Sequence, residues 1–138
     1  LCGERMQKYT VDSSYRQFYI ADAGLDPDAP EDWSDLHVEQ RFNALRNIVA
    51  LCPEGDITAR IICVPPSQSF RQESQQDFEV TTQITIETGR LAVYGWPREL
   101  LEEYLVPPGV YLIMFRGYNI NLAAEELDYY TVEFKHVA

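Results

Sequence analysis

Asp77-Phe78-Glu79-Val80-Thr81-Thr82-Gln83-Ile84-Thr85-Ile86-Glu87-Thr88-Gly89-Arg90-Leu91-Ala92-Val93 is the stretch that decides the fold class. Phe78, Val80, Thr82, Ile84 and Ile86 take every second position, and Asp77, Glu79, Thr81, Gln83, Thr85 and Glu87 fill the places between. Successive side chains of a strand point to opposite faces, so this alternation turns one set towards a core and the other towards water. Thr88-Gly89 then reads as a turn, and Leu91-Ala92-Val93-Tyr94 opens a second strand. The reading is an antiparallel hairpin with one buried face, which the rest of the chain has to cover.

Towards the C-terminus, Gly95-Trp96-Pro97 breaks the pattern. Arg98–Leu105 reads as one helical turn or an irregular crossing segment, and Pro107-Pro108-Gly109 is a second stop. Val110–Phe115 is apolar on both parities, the pattern of a central strand covered on both sides. Asn119–Asp128 is a loop, and Tyr130, Val132 and Phe134 alternate with polar residues in a final strand. Towards the N-terminus, Ser67–Gln76 is a polar loop, and Pro65-Pro66 stops a strand over Ile57–Val64. Asn47–Cys52 is read as a strand in preference to an extension of the helix before it. Gln7–Val11 and Tyr15–Ile20 are two more strands that can pair with each other.

One segment carries helical spacing. Asp32 or Ser34 can cap a helix over roughly Ser34–Arg46, because a short side-chain oxygen accepts from the free N–H groups of the first turn. Val38, Phe42 and Leu45 fall at i, i+4 and i+7, a single apolar stripe. The expected fold is therefore mainly β. It is an antiparallel β-sandwich of about seven or eight short strands with one α-helix near residues 34–46. A partly closed barrel is the alternative. Residues 1–138 read as one domain, with Leu1–Arg5 an extension ahead of a start at Met6.

Composition narrows the function classes. The chain has 138 residues, 46% of them hydrophobic, enough for a real core. The longest apolar run, around Val110–Phe115, falls far short of the ~20 residues of a membrane helix. There are 22 acidic residues against 11 basic ones, for a net charge of -11. Such a field opposes binding to nucleic acid and to anionic membranes and attracts a basic partner. Cys2, Cys52 and Cys63 are too few and too odd for a disulfide framework, which points to a reducing, cytoplasmic setting. Cys52 and Cys63 read as small buried hydrophobes.

No catalytic motif stands out, and no cofactor or metal is expected. His37 and His136 lie far apart and in no metal-spaced cluster; the first reads as an exposed helix residue, the second as a strand end. Gly109 follows two prolines and is turn chemistry rather than a phosphate cradle. Asp26, Asp28 and Asp32 approach calcium-loop spacing, but prolines replace the glycine bend and no bidentate acid closes the loop.

What remains is a surface. Ala21–Asp35 holds Asp22, Asp26, Asp28, Glu31, Asp32 and Asp35 around Trp33, with Pro27 and Pro30 and no basic residue. It reads as a surface loop. Aromatics are enriched at binding hot spots, and acids steer basic partners towards them. The more conservative role for Trp33 is to close the core beneath the helix start. Asp26, Asp28, Glu31, Asp32, Trp33 and Asp35 form the first candidate contact set, and Glu125 and Glu126, with Asp128 beside them, the second. An alternative is a non-catalytic sandwich binding another protein or a small ligand, the latter in a cavity lined by Tyr94, Tyr111, Phe115 and Tyr118.

A family resemblance adds to this. Ser14-Tyr15-Arg16-Gln17-Phe18, followed by the acidic loop ending Asp32-Trp33-Ser34-Asp35, resembles the start of competence protein J, the bacterial inhibitors of DNA-entry nucleases. Phe78-Glu79-Val80, Glu87-Thr88-Gly89, Val106-Pro107-Pro108-Gly109-Val110-Tyr111-Leu112 and Tyr129–Val132 follow in the same order. The resemblance spans roughly Tyr9 to Val137 and is weakest over Asn47–Gln76. It implies a non-enzymatic cytoplasmic protein that binds a basic nuclease and blocks its cationic cleft.

Overall fold

The computed structural model describes residues 7–11, 17–53, 59–66, 76–95, 99–118 and 129–138. Within them the chain forms β1 (Gln7–Val11), β2 (Phe18–Asp22), α1 (Asp35–Gln40), β3 (Phe42–Ala44), β4 (Ile48–Leu51), β5 (Ala59–Cys63), β6 (Gln76–Ile86), β7 (Arg90–Gly95), β8 (Glu99–Leu105), β9 (Gly109–Tyr118) and β10 (Tyr129–His136). One sheet has the order β1-β5-β10-β9-β6 and the other β3-β4-β2-β7-β8. The expected mainly β sandwich is what the chain adopts. Its pairings are antiparallel except that β10 runs parallel to β5. Residues 1–5, most of the loop at 67–76, and the loop at 119–128 with Glu125, Glu126 and Asp128 lie outside the described residues.

The alternation of the 77–86 stretch holds. Ile84 and Ile86 are buried and Phe78 and Val80 half-buried against the core, while Glu79, Thr81 and Gln83 face water. The hairpin does not hold. β6 pairs with β9, whereas β7 pairs with β2 and β8 in the opposite sheet. The turn at 87–89 is therefore a crossover between sheets. β6 pairs with β9, and β7 with β2 as well as with its neighbour β8, and no local turn signal encodes the distant pairings. For the same reason β1 and β2 do not pair: β1 joins β5, and β2 lies between β4 and β7 in the other sheet.

The core between the sheets draws Phe18, Ile20, Val49, Leu51, Leu91 and Val93 from one side and Ile61, Ile84, Ile86, Ile113, Phe115, Tyr130 and Val132 from the other. Phe115 sits at its centre. Its ring meets Phe18 edge-on at 5.5 Å and Phe78 at 5.3 Å, and stacks on Tyr130 at 5.7 Å. Tyr111 and Tyr118 are also fully buried, so packing accounts for three of the four aromatics proposed to line a cavity. Tyr94 packs on the outer face of the second sheet instead.

Two further expectations change. The 98–105 segment is strand β8 rather than a helical turn; Leu91↔Tyr104 and Ala92↔Glu103 fix its register, with a bulge beside Tyr94. β9 is not covered on both sides. Its inward Tyr111, Ile113 and Phe115 are buried, but Leu112, Met114 and Arg116 on the outer face are half-exposed. Arg116 bonds Glu79 at 2.6 Å and pairs with Glu133, an ionic ladder across β6, β9 and β10. β2 and β4 are buried on both faces along their whole length, and β10 is so over residues 130–134.

The crossover is tied to β2 by Asp22, a fully buried residue that the sequence placed in the surface loop. Its Oδ2 accepts from Glu87 N at 2.6 Å and Thr88 N at 3.0 Å, and its Oδ1 accepts from Gly24 N at 3.1 Å and from the Thr88 hydroxyl. Burial works to raise its pKa, but the bonds from the Thr88 hydroxyl and the three amides outweigh it, and the carboxyl lies below its ordinary value. Asn47 supports the same corner: its Nδ2 donates to Thr85 O at 2.8 Å and to Glu87 Oε2 at 3.0 Å. Gly89 completes the turn at φ 78, where an added Cβ would come within 2.9 Å of Val106 O.

Because the folded carboxyl titrates below the unfolded one, Asp22 contributes stability above its unfolded pKa of about 3.9 and loses it as pH falls through the lower folded value. Asp22→Asn is expected to destabilise the fold by roughly 3 kcal/mol at neutral pH, since it removes charge-assisted bonds and turns an amide donor towards other donors. Urea unfolding from pH 7 to pH 3 should show the variant losing less stability than the parent over the acid limb. Phe115→Ala should cost about 3–5 kcal/mol in the same assay, through the cavity it leaves.

Candidate protein-binding surface

Covering the outer face of the second sheet is what shapes the acidic segment. Tyr19 and Ala21 of β2 and Ile48 and Ala50 of β4 form a second apolar cluster on that face. Ala29 and Trp33 pack over it, and Pro30 is buried with them. Asn43 of β3, itself buried, donates its Nδ2 to Asp32 O at 2.9 Å. The segment after β2 thus lies back across its own sheet, and its apolar residues face inwards. Asp26, Asp28, Glu31, Asp32 and Asp35 are all exposed. They lie along one segment of anchored backbone, an acidic ridge over residues 26–35. Asp26 takes a left-handed conformation, φ 46, which Asp tolerates better than most residues.

Trp33 takes the covering role that composition favoured. It is half-buried, closing the outer cluster rather than the central core, and its ring meets His37 edge-on at 5.9 Å. Its indole N–H is buried with no hydrogen-bond partner among the described residues. His37 belongs to the helix start. Ser34 Oγ accepts from His37 N at 3.3 Å, and His37 Nδ1 accepts from Ser34 N at 3.1 Å, a capping box built with histidine. His136 ends β10, where its ring stacks on Tyr111 at 4.6 Å.

The helix starts where the sequence placed it but ends at Gln40. Arg41 turns left-handed at φ 71 and donates its N–H to Val38 O at 3.3 Å, closing the helix. Phe42 then enters β3 and packs on the core, while Val38 and Leu45 stay exposed. The expected Val38-Phe42-Leu45 stripe is thus divided among a helix, a strand and a turn, because pairing of β3 with β4 captures residues 42–44. Arg41 lies 4.0 Å above the Phe78 ring, joining this edge of the second sheet to β6 of the first. The six-residue helix buries nothing and displays Leu36 and Val38, 63% and 55% exposed, beside the acids. Sequence reasoning missed this apolar element and the pin at Asn43.

The described residues hold no group of three or more His, Cys, Asp or Glu side chains placed for a metal ion. No helix among them is long and apolar enough to cross a membrane. Cys63 is buried, and burial, with the nearby Glu102 charge, pushes its thiol up to about 12. Cys52 is half-buried rather than fully enclosed.

The fold is a β-sandwich with the architecture of competence protein J. Among solved structures the chain is similar to ComJ from Bacillus subtilis, inhibitor of the DNA degrading activity of NucA. Identity is 17%, the TM-score is 0.75, and the match covers 97% of this chain and 100% of that one. It is also similar to the protein of crocagin biosynthetic gene J, at 13% identity and a TM-score of 0.55, covering 96% of both chains. No protein-family model matches the sequence, and no curated protein matches it.

Trp33→Ala should lower stability by roughly 2–3 kcal/mol, since it uncovers the outer cluster. Trp33→Phe keeps the ring and removes the unpartnered N–H, so it should be neutral or stabilising. Limited proteolysis within residues 23–34 should accelerate in Trp33→Ala and in Asn43→Ala but not in Trp33→Phe.

Proposed function

We propose that this chain is a protein inhibitor, without turnover of its own, that binds a basic DNA-degrading nuclease in the bacterial cytoplasm and occupies its cationic cleft. The observation that carries the reading is a fold shared along nearly the whole chain with ComJ, an inhibitor of a DNA-degrading activity. The acidic ridge supports the mode of action. A nuclease that grips phosphates presents cations, and acids on an anchored backbone meet them with little ordering cost. Leu36 and Val38 add exposed apolar area beside those charges, the combination found in interfaces with a dry centre and a polar rim.

The test is a DNA-digestion assay with a DNA-entry-type nuclease from the same cell and this protein titrated in. Inhibition should reach a sharp stoichiometric end point. It should weaken between ~0.05 and ~0.5 M salt, as screened charge pairs do. Replacing Asp28, Glu31, Asp32 and Asp35 with lysine should leave the circular dichroism spectrum and melting temperature close to those of the parent. Inhibition should fall by about 100-fold or more, since like-charge juxtaposition costs several kcal/mol. Full-strength inhibition by the four-lysine variant would remove the ridge as the contact surface.

A further inference from the structure

The second sheet has two edges of very different kinds. β3, at one end, is three residues long and lies next to α1. β8, at the other, is seven residues long and contains no proline or lysine. In the first sheet, edge strand β6 is partly closed: Thr85 N donates to Arg46 O at 2.9 Å, and Asn47 Nδ2 donates to Thr85 O. Among the described residues no backbone hydrogen bond closes the outer side of β8 in this way. Its ends carry Leu100, 54% exposed, and Leu105, 79% exposed.

The ladder says which backbone groups of β8 face outwards. Val106 N donates to Gly89 O at 2.9 Å, so Gly89 and Val106 form a hydrogen-bonded pair. In an antiparallel ladder such pairs recur at every second residue. With Arg90 opposite Leu105 and Ala92 opposite Glu103, the bonds to β7 fall at Tyr104. The N–H and C=O groups of Glu103 and Leu105 point to the open side. An exposed row of this kind is a template for another strand unless something discourages it.

What β8 uses to discourage pairing is charge of one sign. Glu99, Glu102 and Glu103 lie along it. The nearby cation, Arg90, is engaged by Glu103 at 2.9 Å. A second copy of this chain would bring glutamates against glutamates, and like charges directly opposite are destabilising. Self-association through β8 is therefore disfavoured, while an extended strand bearing lysine or arginine would be attracted by the same residues.

We infer that β8 is a docking edge for an extended, basic peptide segment of a partner protein, added as a sixth strand beside Glu99–Leu105. The segment pairs its backbone with Glu103 and Leu105, sets its cations near the glutamates and lays an apolar side chain on Leu105. This is strand addition, in which main-chain bonds supply affinity and side chains supply selectivity. The edge is two strands removed from β2, where the acidic ridge begins. The inference stands apart from the inhibitor reading and does not need it.

The probe is the peptide acetyl-Lys-Thr-Lys-Val-Lys-Thr-Lys-amide, with a copy N-methylated at alternate residues so that one hydrogen-bonding edge is blocked. Fluorescence anisotropy should show the plain peptide binding the full chain at least about tenfold more tightly than the N-methylated one, the size of one or two backbone bonds lost. Amide shifts in the nuclear magnetic resonance spectrum should concentrate at 99–105. Glu103→Pro removes an outward N–H and should weaken binding by a similar factor; Leu105→Pro serves if that variant does not fold. The four-lysine ridge variant should keep the preference for the plain over the N-methylated peptide, because the backbone groups that pair lie on β8 and not on the 26–35 segment. Equal binding of both peptides, shifts centred on residues 26–35, or no binding at millimolar peptide would each overturn the inference.

Discussion

The whole sandwich hangs on a buried carboxylate. Asp22 ends β2, and its two oxygens collect three backbone amides and the Thr88 hydroxyl. These are the bonds that hold the 87–89 crossover against the second sheet. A buried charge of this kind survives only when its hydrogen bonds replace the water it has lost. Here they come from amides that a tight turn would otherwise leave unsatisfied. The arrangement lets β6 leave one sheet and β7 enter the other within three residues. Both isoleucines before the turn and Leu91 after it then reach the same core.

A second constraint shapes the surface. β2 and β4 are apolar on both faces, so the second sheet needs cover outside as well as inside. The segment following β2 supplies it with Ala29, Pro30 and Trp33, and Asn43 fixes its path. Its acids are then excluded from the interior and gathered on the ridge. The need to bury Tyr19, Ala21, Ile48 and Ala50 thus fixes where the negative charge is displayed. The segment that carries the acids is tied to the sheet by that packing and by the Asn43 bond.

The chain shares its fold with ComJ at 17% identity. A sandwich needs its inward positions apolar and its crossovers pinned; it leaves ridges and edges open to change. In this chain both surface features, the ridge and β8, are acidic and carry exposed leucine or valine nearby. They sit on different parts of the second sheet.

Strand class, the inward set of the 77–86 stretch, the helix start at Ser34 and the exposure of five of the acids were legible from the sequence. Each follows from local rules: side-chain parity, a capping hydroxyl, the cost of burying unpaired charge. Where strands pair was not legible. The turn at Thr88-Gly89 has the chemistry of a hairpin, and only the competition for partners among distant strands makes it a crossover. Asp22 looked like its acidic neighbours, because the donors that bury it lie 65 and 66 residues away. Helix length was set by β4 capturing Phe42–Ala44, not by the apolar spacing. The side-chain pattern by itself determined which residues go inside. Tertiary structure alone decided which strands meet, because backbone hydrogen bonds are nearly the same for every sequence and carry no address of their own.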